Sequence, residues 1–272
     1  MKTFIHRMTI LSTVLIFFLT VGVNAQPAQV PGSTGGGKPW WKKALVDAGG
    51  ALGGAGSVGS LINVGSITPA GWVAIGGGAI LGGGSASVAY SSESSAVEHA
   101  EAAAVESGKS AMNSGNSRMS NKSRTSDNQN DHIGQLHNQI IADYFDKHST
   151  YNRNTFYDFV ISDGRVYPKG ITPILTKKDY NQIVQESIYL RIPNDNDKII
   201  EFILKYLPDN VNTQKFRDYL ILLLNSNTQD SFNANLDYAE GKVRSENDLS
   251  DYDSFLMDCF FSTARNSADF WD

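Results

Sequence analysis

The chain has 272 residues, with 23 Lys and Arg against 28 Asp and Glu, a net charge of −5 and a single cysteine. The length permits one or two domains. An acidic balance argues against a nucleic-acid partner, since phosphate binding needs clustered cations, and one cysteine excludes an internal disulfide. Charge is also uneven along the chain: residues 26–90 carry +2 and residues 131–272 carry −8, so two unlike parts are expected.

Residues 1–25 have the form of a secretory signal. Lys2 and Arg7 precede an apolar stretch from Met8 to Val23, and Val23 and Ala25 sit three and one residues before Gln26, a small-residue cleavage site. The apolar stretch is shorter than the ~20 residues of an ordinary spanning helix, which favours cleavage near Ala25 over an uncleaved anchor. The chain is therefore expected to be secreted or associated with the cell surface or a membrane. Residues 26–39 (QPAQVPGSTGGGKP) lack any apolar period and are expected to form a flexible tether.

Residues 40–90 are apolar and rich in glycine. Ala44 to Val64 and Trp72 to Tyr90 form two segments separated by GSITPAG, each holding six glycines. As helices they are roughly 30 Å long, which matches the hydrocarbon thickness of a bilayer, so a helical hairpin of membrane dimensions is expected. Small residues recur at intervals of four: Asp47, Ala51, Ala55 and Gly59 in one row, Gly49, Gly53 and Ser57 beside it, and Ala74, Gly78, Gly82 and Ala86 in the second segment. Gly49, Gly53, Ser57, Ala74, Gly78, Gly82 and Ala86 are the expected helix-packing positions, because such rows let two backbones approach closely. Trp40, Trp41, Lys42 and Lys43 before the first segment, with Trp72 and Tyr90 flanking the second, are the expected membrane-interface residues.

The glycines lower helix stability in water by about 5 kcal/mol per segment relative to alanine. These helices therefore need lipid or a close partner. Insertion is only weakly driven: Val73, Ile75, Ile80, Leu81 and Val88 together supply roughly −1.5 to −3 kcal/mol, and Asp47 makes the first segment a poorer span than the second. WWKKALVDAGGALGGAGSVGS and GWVAIGGGAILGGGS resemble the glycine-zipper segments of class II bacteriocin-like, membrane-active peptides. The resemblance covers about 50 residues and implies membrane permeabilisation. It departs from that group in carrying a general secretory signal and a long acidic region. Self-assembly between copies and a purely structural spacer are the other readings of residues 40–90.

Residues 91–130 run from an Ala/Glu-rich start into GKSAMNSGNSRMSNKSRTSDNQN, a polar low-complexity linker expected to be disordered. From Asp131 onward the pattern is that of an acidic all-α domain. Ile133, Leu136, Ile140, Ile141, Tyr144 and Phe145 share one helical face. Further helices are expected over Thr155–Ile161, from a capping Thr176 through Leu190, over Asp195–Leu207 up to Pro208, and over Asn212–Leu224, Gln229–Val243 and Leu249–Ala268. The fold class expected is all-α, a multi-helix domain preceded by a glycine-rich apolar hairpin and a linker.

Catalytic and metal chemistry finds no motif. His132 and His137 are five apart, which does not place both on one helical face as a zinc pair requires. PNDNDKII lacks the central glycine and terminal glutamate of a calcium loop and reads as a helix start. GGGAILGGGS has no GK[ST] ending, and Cys259 lies among large apolar residues as a buried thiol. The reading is a non-enzymatic protein without cofactor. Its hairpin would meet membrane lipid or its own copies, and residues 131–272 could take a protein partner.

Overall fold

The computed structural model describes residues 39–61, 68–90, 131–148, 150–190 and 195–271. The expected signal, nearly all of the tether and the linker at 91–130 lie outside the described residues. The fold is all-α. Among the described residues there are nine helices and no strand: α1 (Trp40–Gly59), α2 (Pro69–Tyr90), α3 (Asp131–Lys147), α4 (Arg153–Ser162), α5 (Lys177–Tyr189), α6 (Asn196–Leu204), α7 (Thr213–Leu224), α8 (Gln229–Glu246) and α9 (Asp251–Trp271).

Side-chain caps set the starts of the acidic helices. Thr176 accepts from the Asp179 amide at 3.2 Å, and Asn212 accepts from the Lys215 amide at 3.0 Å. Asp195 accepts from the Asp197 amide at 3.0 Å, so the DND run does open a helix. Thr228 and Ser231 close a reciprocal capping box at the start of α8. In the hairpin, Thr68 accepts from the Gly71 amide at 3.2 Å. Pro69, which the sequence suggests is part of a turn, becomes the first residue of α2, where its missing N–H costs nothing. Likewise α1 begins at Trp40, so Trp40, Trp41, Lys42 and Lys43 lie inside the helix instead of leading into it.

The amphipathic helices turn their apolar faces onto α1 and α2. Helix α9 lies along α1 and α3, α6 packs on α1, α3 and α5 pack on α2, and α7 and α8 link α6 to α9. Every residue from Lys42 to Ala55 and from Val73 to Tyr90 is buried. Apolar on all sides and enclosed on all sides, the hairpin is the core of the fold. Its close partner is the chain's own helical region. Leu45, Leu52, Ile75 and Leu81 are wholly buried, at about 1.5–3 kcal/mol each, which offsets the glycine cost of either helix.

Helices α3 and α9 touch at Gly134. Its amide donates to Ser262 Oγ at 2.9 Å, and Asn138 Nδ2 donates to the Asn266 carbonyl at 2.8 Å four residues on. A Cβ at Gly134 would fall on the Ser262 carbonyl oxygen and lie 2.7 Å from Asn266 Nδ2. Gly134→Ala is therefore expected to lower stability by about 2 kcal/mol, read from the urea midpoint, because the contact is backbone and cannot rotate away.

Candidate functional site

The candidate site is the enclosed hairpin with the side chains that cover it. Its two helices run antiparallel, with Gly50 facing Gly82 and Ala86, and Gly54 facing Gly78 and Gly82. A Cβ on Gly50 would lie 2.6 Å from the Gly82 carbonyl oxygen, and one on Gly78 would lie 2.7 Å from that of Gly54. Gly54 and Gly82 are tighter still, each with the opposite carbonyl oxygen where a Cβ would sit. The backbones are in direct contact, as small-residue rows permit.

Of the expected packing rows, Gly78, Gly82 and Ala86 face α1, and Ala74 is buried on the same helix. On α1 the glycines that meet α2 are Gly50 and Gly54, one position beyond the Gly49–Gly53–Ser57 row. Gly49 instead faces the Phe202 ring and Gly53 the Tyr206 ring, so that row seats α6 and the turn that follows it, while Ser57 is half-buried. The outer glycines of α2 are seats in the same way: Gly77 for Tyr167, Gly83 for His137 and Gly84 for Phe156. A glycine seat admits an aromatic ring against the helix backbone, and each ring adds apolar burial to the cover.

None of the six expected interface residues is exposed in this fold. Trp40 stands edge-on to Phe232 with ring centroids 5.3 Å apart, and Trp72 to Phe255 at 4.9 Å. Trp41 is half-buried beside Trp40, and Tyr90 is buried. Lys42 and Lys43 are buried, and desolvation lowers both ammonium pKa values, opposed by Asp195 for Lys42 and by Asp47 for Lys43. The Lys43 ammonium sits 4.6 Å above the Trp271 ring.

Asp47 is the only acidic residue between positions 40 and 90 and is wholly buried. Its Oδ2 accepts from Trp271 Nε1 at 2.8 Å, a bond between α1 and the last turn of α9. The Ser87 and Ser267 hydroxyls lie beside the carboxyl group without closing a well-formed hydrogen bond, and Oδ1 has no partner among the described residues. Burial pushes the carboxyl pKa up to about 7, held back by Trp271, Ser267, Ser87 and Lys43. Nearby, wholly buried His137 is pulled down to about 4 by burial, against the opposing pull of Asn138 and the Gly83 backbone. Its Nδ1 is 2.9 Å from Asn138 Oδ1. Asn138 Nδ2 is already committed to the Asn266 carbonyl, so Oδ1 must accept and the imidazole proton belongs on Nδ1.

Sequence reasoning missed Gly50, Gly54, His137 and Trp271 in these roles. The one usable signal was Asp47 itself: a lone carboxyl in an apolar helix needs a buried donor. Among the described residues no group of three His, Cys, Asp or Glu could hold a metal. Among them one helix, α2, is long and apolar enough to cross a membrane, and 94% of its apolar window is buried inside the fold. No family model, curated protein or solved structure matches the chain.

Proposed function

We propose that this is an exported, non-enzymatic, membrane-active protein that stores its glycine-rich hairpin inside its own acidic helices and delivers it to a lipid bilayer. The observation that carries the reading is that α2, with the dimensions and apolarity of a membrane-crossing helix, is enclosed along its length from Val73 to Tyr90. The 40 residues between Tyr90 and Asp131 give the hairpin a covalent leash of up to ~130 Å, so it can leave the cover without breaking the chain. In this reading α2 enters the hydrocarbon. Helix α1 lies at the interface, where Trp40, Trp41, Lys42 and Lys43 suit the headgroup region and Asp47 need not be carried through the membrane. Opposite charges on the two parts favour separation on an anionic surface, which attracts the +2 segment and repels the −8 domain.

The test uses residues 26–272 with dye-loaded vesicles of phosphatidylcholine and phosphatidylglycerol. Co-sedimentation with the vesicles and release of dye are expected. A chain that stays in the supernatant and leaves the dye enclosed between pH 5 and 8 would refute membrane activity.

A second reading is favoured by the exposed side chains Ile221, Leu222 and Tyr238 on α7 and α8. In it the protein is a secreted helical interaction module, the hairpin serves only as structural core, and the apolar surface of α7–α8 meets a protein partner. That reading predicts no vesicle binding.

A further inference from the structure

We infer that the Trp271–Asp47 contact is a proton-controlled latch: with Asp47 protonated, α9 is held across α1, and loss of that proton loosens α9 and uncovers the hairpin. The inference concerns the closed fold alone and stands whether or not the hairpin enters lipid.

The geometry singles out this contact. Asp47 is the hairpin's only acid, it has no solvent exposure, and its strongest bond reaches across 224 positions to the last described residue of the chain. A neutral carboxyl group suits the site: Oδ2 accepts from the Trp271 indole, and a proton on Oδ1 can be donated to the Ser87 or Ser267 hydroxyl beside it.

Ionised, the carboxylate can accept from the indole and the same two hydroxyls, and these donors favour the charge, yet complete burial outweighs them. From α1, Lys43 is the facing cation, but its ammonium is buried and engaged over the Trp271 ring. From α2 the facing groups are Ser87 and Tyr90. From α9 they are Ser267 and Trp271. Helix α3 brings His137 to the neighbouring Gly83, and burial keeps that imidazole neutral. At the start of α6, Asp195 acts on Lys42. A buried negative charge whose donors do not offset its loss of water is relieved when α9 lifts and admits solvent.

Cys259 reports the movement. It is the only cysteine, it lies in α9, and it is wholly buried. Burial raises its thiol pKa, so labelling requires α9 to open. The experiment measures labelling by 4,4′-dithiodipyridine in residues 26–272, wild type and Asp47→Asn, between pH 5 and 8. Each rate is divided by that of the same chain in guanidinium, which removes the intrinsic pH dependence of the thiol.

The ratio of wild-type to Asp47→Asn opening is expected to climb by up to about tenfold per pH unit from pH 5 to 7 and to level off above it, because the closed form must give up one proton. His137 is common to both chains and cancels. Trp271→Phe, which removes the donor and keeps an aromatic ring, is expected to raise opening about tenfold at pH 6. A pH-independent ratio would overturn the proton control. Unchanged protection of Cys259 in Trp271→Phe would overturn the latch, and that second variant decides the matter if Asp47→Asn fails to fold.

Discussion

Gly54→Ala and Gly82→Ala are each expected to destabilise the protein by about 3 kcal/mol or more, whereas Gly56→Ala, two positions from Gly54, is expected to stabilise it by about 0.5–1 kcal/mol. All three replace glycine with the best helix former, so intrinsic propensity favours every one of them. Packing reverses the sign at two. A Cβ at Gly54 falls on the Gly78 carbonyl oxygen and a Cβ at Gly82 falls on that of Gly50, while nothing lies within 4 Å of a Cβ at Gly56. Backbone cannot turn aside, so the helices must separate and the rings seated on their outer glycines shift with them. Against a typical total of about 5–15 kcal/mol, the double variant Gly54→Ala/Gly82→Ala is expected not to fold. Urea midpoints and far-ultraviolet dichroism of residues 26–272 check this. Equal and slightly stabilising effects at all three positions would mean that α1 and α2 do not meet as described.

Removing two of the buried titratable groups, Asp47 and His137, one at a time is expected to tilt the pH profile in opposite directions. Asp47 is raised in the folded state from 3.8 to about 7. The stability it contributes is fully present below 3.8 and lost as pH rises through 7, about 4 kcal/mol across that window. His137 is lowered from 6.5 to about 4. Its contribution is present above 6.5 and lost as pH falls through 4, about 3 kcal/mol. Relative to wild type, Asp47→Asn should therefore gain stability as pH rises from 4 to 7, and His137→Gln should gain stability as pH falls from 6.5 to 4. Taking differences removes the carboxylates that ion pairs hold below their usual range, namely Asp163 beside Arg165, Glu186 beside Lys205, Glu240 beside Arg265 and Arg244, and Glu246 beside Lys215 and Lys242. Parallel profiles for the two variants would show that neither group is buried in the folded chain.

Local rules made much of this fold legible. Capping residues and the helical spacing of apolar positions located α3 and α5 to α9 to within a few residues, because a cap and a buried face are written in adjacent positions. Thr176 and Asp195 act as read. The hairpin was legible as two apolar helices with small-residue rows. Its surroundings were not, because a segment apolar on every face is equally suited to lipid and to a protein core. Choosing between the Gly49 and Gly50 rows needs the register of the opposing helix and the positions of Phe202 and Tyr206, more than 140 residues away. Asp47 read as a defect in a span, and only the fold supplies Trp271 as its donor.

One arrangement unites these observations: the chain's own helices close over the hairpin. Arg265 ties α9 to α8 through Asp237 at 2.9 Å and Glu240 at 2.8 Å, and Trp271 ties α9 to α1. The cover is therefore fixed at both the acidic helices and the hairpin. Hydrogen exchange of residues 26–272 in water, resolved by peptide, tests that enclosure most directly. Amides of α1 and α2 are expected to be protected to the same level as those of α9, since all three open together. Fast exchange across residues 40–59 and 69–90, with α3 to α9 still protected, would contradict it and return the glycines to the role of a spacer.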